Sequence, residues 1–296
     1  MTENWQPALN LQMQLGECPL WHPHEGVLYW VDIDGHAVHR LTPGTGNHTS
    51  WPMPTEPGCI ALHEAGGLLV ALRSGLARLD TESGKLSMLQ DAPYDQQTTR
   101  FNDGRCDVAG RLWVGTIYEP RDQPAAALYS VDHNSLTDSG KRATVSNGLA
   151  FSIDHRTMYH SDTSAHRIFA YDYDLASGTI TGERVFHTFD NDRKDPRYGG
   201  RPDGGAVDSE GAYWAAMFEG SRLVRLSPEG EILQEVALPV RCPTMMAFGD
   251  DDLRTLYITS ASKNRSAEEL AAHPLSGHLL KMRVDVPGLA ESFYRG

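Results

Sequence analysis

The chain has 296 residues, 40% of them hydrophobic and 22% charged, which suits a globular protein large enough to bury a core without staples. Its net charge of −13 offers no basic face to a phosphate backbone and so excludes a nucleic-acid partner. No apolar run approaches the roughly 18 residues of a membrane span, and the start Met1-Thr2-Glu3-Asn4-Trp5-Gln6-Pro7 has neither a basic nor an apolar leader region, so a cytoplasmic protein with no membrane partner is expected.

Residues 9–15 alternate apolar and polar side chains, the period of a half-buried strand. A unit then recurs six times: a polar cluster, a turn and a short Val/Ile/Leu/aromatic run that reads as a buried strand. The six runs are residues 27–31, 68–72, 112–115, 157–160, 212–216 and 255–259. Their anchors Leu28, Leu68, Leu112, Met158, Tyr213 and Leu256 lie roughly 40 to 55 residues apart, the range of blade-like repeats. Each run is followed by a second apolar segment, at 36–41, 76–79, 127–131, 167–171, 222–226 and 277–282, and often by a third strand such as 231–236. This pattern predicts an all-β chain, 1–296 forming one domain, folded as a six-bladed β-propeller with a central metal site. Residues 9–15 are expected to supply the outer strand that completes blade six and closes the ring.

Within this grammar Glu17 stands about eleven residues before its anchor, Asn102 and Asp103 about nine to ten, Asn147 about eleven and Asp203 about ten, so rotated copies of one unit bring them to one mouth of the channel. Blades two and six carry Gly58-Cys59 and Thr244-Met245-Met246 in that phase and add no charge. The converging carboxylates and amides suit one divalent cation, Ca²⁺, Mg²⁺ or Mn²⁺ by hardness and also Zn²⁺ or Fe²⁺, because like charges so close repel without one. Before Asp203, the polar segment 190–198 is expected to rim this mouth and to bring Arg193, Lys194, Arg197 or Arg201 to an anionic substrate group.

Other chemistry finds no handle. The four cysteines lack paired spacing and read as reduced core thiols, His22 with His24 and His36 with His39 lack a third metal ligand, and neither a nucleophile elbow nor a phosphate-binding loop is present.

Five motifs in order, Gly16-Glu17-Cys18-Pro19-Leu20-Trp21, Arg100-Phe101-Asn102-Asp103-Gly104, Ser146-Asn147-Gly148-Leu149-Ala150, Tyr171-Asp172-Tyr173-Asp174 and Pro202-Asp203-Gly204 with Val207-Asp208-Ser209-Glu210-Gly211, span nearly the whole chain. Together they resemble the sugar-lactonase family of regucalcin and the gluconolactonases. The resemblance implies a six-bladed propeller in which Glu17, Asn147 and Asp203 bind one divalent cation, with Arg100 and Asn102 contacting substrate. It also implies an acidic substrate contact at Glu119, one place off the clearest alignment. The expected activity is metal-dependent hydrolysis of a small-molecule sugar lactone to the aldonic acid, with Asp203 as general base, by a monomer or weak homo-oligomer. Two alternatives stand beside it: a propeller hydrolase of phosphotriesters or non-sugar lactones, for which an apolar mouth would speak, and a calcium-binding regulatory protein without turnover.

Overall fold

The computed structural model describes residues 5–296. Six four-stranded antiparallel sheets stand around a central channel, as the repeat predicts. The first blade runs outward in sequence order through Gly16–His22, Val27–Asp32, Ala37–Thr42 and Asn47–Pro52. The next four are built the same way, on innermost strands Pro57–Leu62, Thr99–Cys106, Ser146–Phe151 and Arg201–Val207. Blade six takes Pro243–Gly249, Thr255–Ser260 and Leu280–Arg283 from the end of the chain and its outermost strand from the beginning.

That closing strand is Gln6–Pro7, with Gln6 opposite Lys281 and Pro7 opposite Leu280. Ring closure by the N-terminal segment therefore holds, but residues 9–15 do not form the strand. They cross beneath blades six and one instead, where Met13 is buried and Leu15 bridges to Ala261. Their alternation reflects one side resting on the barrel, with no ladder partner.

Burial falls from the channel outward. The two inner strands of blade one are buried throughout, whereas Asn47–Pro52 at the rim shows only Trp51 inside. The second strand of a blade is covered on both faces by neighbouring blades, which is why these runs read as continuous apolar and aromatic segments. Trp30, Trp113, Tyr213 and Tyr257, each at most 1% exposed, fill the wedges between sheets. All four cysteines are free and buried, as expected.

The feature that builds the site is a register shift in every innermost strand, between Glu17 and Leu20, Pro57 and Cys59, Phe101 and Gly104, Asn147 and Ala150, Pro202 and Gly205, and Pro243 and Met246. A bulge re-aims a side chain that the regular pleat would leave in the sheet. Glu17, Gly58, Asn102, Asn147, Asp203 and Thr244 each stand four residues before the residue that pairs with the blade's anchor, namely Trp21, Leu62, Cys106, Phe151, Val207 and Phe248. They are one position, rotated six times.

Candidate active site

At this shared position the six residues differ in what they offer. Gly58 has no room for a side chain, since a Cβ there would lie 2.2 Å from the Phe101 carbonyl oxygen. Thr244 turns its hydroxyl to the Gly16 carbonyl and to Thr259. Glu17, Asn102, Asn147 and Asp203 remain, all at most 8% exposed, and all line one cavity of about 220 Å³. Arg100 and Glu119 line it too, so the three expected cation ligands and the three expected substrate contacts reach the same space. Asp103 does not line it: the bulge turns its carboxylate toward blade four, where Oδ2 accepts from the Leu149 amide at 2.8 Å.

A hydrogen-bond chain orders these groups across three blades. Arg100 Nη1 donates to Asn102 Oδ1 at 2.8 Å, Asn102 Nδ2 donates to Asn147 Oδ1 at 2.8 Å, and Asn147 Nδ2 donates to Asp203 Oδ1 at 2.5 Å. A guanidinium has only donors, so Arg100 dictates which way each amide faces. Asn102 Nδ2 also donates to the Ser146 carbonyl and Asn147 Nδ2 to Thr163 Oγ1, which pins both amides.

Burial holds the carboxyls of Glu17 and Asp203 well above the usual carboxylate range; the Asp203 and Asp103 charges add to it at Glu17, as Asp103 does at Asp203. Asp103 itself is pushed up to about 6 by burial. Neither Glu17 nor Asp203 has an ion-pair partner among the described residues. Two buried carboxylates facing one space without a direct ion-pair contact, with an amide between them, are a hard-oxygen donor set suited to a divalent cation. They fall short of a three-ligand cluster of His, Cys, Asp or Glu, and none exists among the described residues; the third donor is an amide.

Beside them, burial works against the Arg100 charge, and the nearest counter-charge is Glu119, whose Oε1 lies 3.8 Å from Arg100 Nε. Glu119 is fixed in turn by Arg73, whose Nη2 and Nη1 donate to its two oxygens at 2.8 and 3.1 Å. Arg73 is one residue the sequence reading did not single out; Thr163, Arg121, Phe218, Lys263 and Arg265 are others. All but Phe218 lie beyond the strand ends, on loops whose lengths and sequences differ between blades, so no repeat marks them.

The rim is also redrawn. Of Arg193, Lys194, Arg197 and Arg201, only Arg201 lines the cavity. Arg197 folds back on Asp195 through two hydrogen bonds and is 89% exposed, while Arg193 stops 3.8 Å from Glu219. Within the polar segment 190–198, Arg197 pairs with Asp195, while Arg193 points to Glu219 outside it.

Comparison with known proteins agrees with the fold and the motifs. The chain is 47% identical along the full length of both chains to a 6-deoxy-6-sulfogluconolactonase of Pseudomonas putida. It is 35% identical to the regucalcin of Danio rerio over 96% of this chain and 95% of the relative. The crystal structure of a calcium-binding regucalcin from Agrobacterium tumefaciens superposes with a TM-score of 0.92 at 27% identity, covering 99% of this chain and 98% of that one. A gluconolactonase of Xanthomonas campestris shares the fold at 20% identity, with a TM-score of 0.75 over 96% of this chain and 90% of the other. Residues 15–262 match the model of the SMP-30/Gluconolactonase/LRE-like region, and the chain belongs to that family.

Proposed function

We propose that the protein hydrolyses a sugar lactone to its aldonic acid, using one divalent cation held by Glu17, Asn147 and Asp203. The observation that carries this reading is the pair of buried carboxylates without an ion-pair contact among the described residues, set against a buried arginine in the same cavity. Pure ion storage has no use for a guanidinium beside the cation. The sulfogluconolactonase relative, at 47% identity, supports lactone opening as the reaction.

When bound, the cation supplies Lewis acidity to the lactone carbonyl. Arg100 and Asn102 orient the sugar ring by donating to its hydroxyl or carbonyl oxygens, and Glu119 accepts from a ring hydroxyl. Asp203 takes a proton from the attacking water as the carbonyl carbon becomes tetrahedral and returns it to the ring oxygen as the C–O bond breaks. A lactone is a reactive ester, so one carboxylate base suffices without a covalent nucleophile.

The mouth is lined by arginine, lysine, aspartate and glutamate, which favours a polar sugar over the apolar non-sugar lactones and phosphotriesters of the alternative reading. A calcium-binding protein without turnover is the second reading, supported by the regucalcin relatives. Proton release at constant pH on a panel of five- and six-carbon aldonolactones separates them, using chelator-stripped protein resupplied with Ca²⁺, Mg²⁺, Mn²⁺, Zn²⁺ or Fe²⁺. Cation-restored turnover is expected; no rate above spontaneous opening in any pairing sinks the lactonase.

A further inference from the structure

Two arginines on the outer wall of the cavity keep most of their hydrogen-bond donors unused. Arg201 enters from the innermost strand of blade five and Arg265 from the loop after the second strand of blade six. Their guanidinium carbons lie 5.1 and 6.0 Å from the ring centre of Phe218. Both face Glu219, Arg201 Nη2 at 3.4 Å and Arg265 Nη1 at 3.3 Å from separate carboxylate oxygens. Their side chains are only 13% and 15% exposed. A guanidinium carries five donors, and at this burial most are ordinarily bonded. Among the described residues the Arg201 side chain makes no hydrogen bond, that of Arg265 makes one, to Glu219, and the Nε of each is buried without a partner.

The group has a net positive charge, because four arginines, Arg193, Arg201, Arg241 and Arg265, share two glutamates, Glu219 and Glu269, the latter 3.6 Å from Arg265 Nη1, and the forks of Arg201 and Arg265 both lie over the Phe218 ring. Planar forks with free donors on an aromatic spacer match the oxygens of a tetrahedral anion. Arg121, on the far side of the same cavity, has no ion-pair partner among the described residues. Arg201 stands two residues before Asp203 on one strand and both line the cavity, a separation of about 7 Å along the chain. That is the scale of a six-carbon lactone from its ring carbonyl to a substituent on its last carbon.

We propose that Arg201 and Arg265, stacked on Phe218, form a subsite for a tetrahedral oxyanion, a sulfonate or phosphate, at the end of the substrate remote from the lactone carbonyl. The subsite rests on the lactonase reading of the same cavity and gives it a substrate class: a lactone with a charged tail. Glu219 positions the two forks and keeps them apart from the carboxylates deeper in the channel.

The test compares wild type with Arg201→Met, Arg265→Met and Arg201→Lys, the lysine keeping the charge without the fork. Two quantities are read. The first is the ratio of kcat/KM on 6-phosphogluconolactone or 6-deoxy-6-sulfogluconolactone to that on gluconolactone. The second is calorimetric binding of the open acids 6-phosphogluconate, 6-deoxy-6-sulfogluconate and gluconate. Wild type is expected to prefer the charged tail in both. Each methionine variant is expected to lose about 10- to 100-fold of that preference, the cost of a hydrogen bond to a charged group, and the lysine variant part of it. The tighter of the two tailed acids identifies the group. Equal binding of all three acids by wild type, or a preference that survives both methionine variants, overturns the subsite. If wild type opens no lactone yet binds the tailed acids through Arg201 and Arg265, the lactonase reading falls and the subsite stands; if it opens lactones with an unaltered preference in the variants, the reverse holds.

Discussion

Gly148 follows Asn147 in the bulge of blade four at φ 60°, and a Cβ there would lie 2.3 Å from Ser161 Oγ and 2.4 Å from Tyr213 Oη. Cys18 takes the same left-handed conformation, φ 45°, after Glu17 in blade one. A left-handed residue at this place lets the preceding side chain leave the pleat for the channel. Gly148→Ala is therefore expected to cost about 1–3 kcal/mol in denaturant unfolding and to lower lactone turnover with it, since Asn147 is displaced; unchanged stability would show that the bulge tolerates a Cβ. The phase of Glu17, Asn102, Asn147 and Asp203 was legible in the sequence because it repeats with the blades. Which of Asn102 and Asp103 faces the channel was not, because neighbours at a bulge exchange faces when one residue is added. Arg73, which fixes Glu119, escaped notice for another reason: it contacts the site from a different blade, 46 residues away.

The second strands of the blades carried the fold in the sequence, since burial on both faces leaves a run of apolar and aromatic residues that few other settings produce. Gln6–Pro7 carried no such signal, a two-residue strand being too short to show a period. The shift from the expected 9–15 to this pair places ring closure at the very edge of the described chain, with Trp5 Nε1 donating to the Ala237 carbonyl at 2.8 Å as a further tie to blade five. Deleting residues 1–8 removes the closing strand and that tie, and a loss of about 1–3 kcal/mol is expected, the worth of a few backbone hydrogen bonds and an aromatic contact. Thermal unfolding of the truncated chain checks it, and an unchanged midpoint would mean that blade six is stable with three strands. The segment 190–198 shows the limit of composition as a guide: its charges suggested a rim, but Asp195 takes Arg197 and leaves the wall of the cavity to Arg201.

Across the molecule, buried histidines set how stability responds to acid. His160 is pushed down to about 4 by burial, and His39 likewise to about 4 by burial and then by the His48 ring. A histidine with a lowered folded value binds its proton in the unfolded chain first. Its contribution is whole above about 6.5 and is lost as pH falls from there toward 4, up to about 3 kcal/mol for each group. Asp103, raised to about 6, acts the other way in the same window, because its protonation in the fold relieves a buried charge. Comparing His160→Gln with wild type isolates one group: between pH 7.5 and 5, wild type is expected to lose more stability in denaturant titrations, and equal losses would mean that His160 is not held neutral. The central claim is that Asp203 moves the proton when a sugar lactone opens in the channel. Its most direct measurement is proton release by wild type and Asp203→Asn, both stripped with chelator and resupplied with the same cation, on the lactone that wild type opens fastest. The account predicts turnover in wild type that the substitution lowers by about 10²- to 10⁴-fold, while the asparagine protein unfolds at a comparable temperature; an Asp203→Asn protein that opens the lactone at the wild-type rate would contradict it.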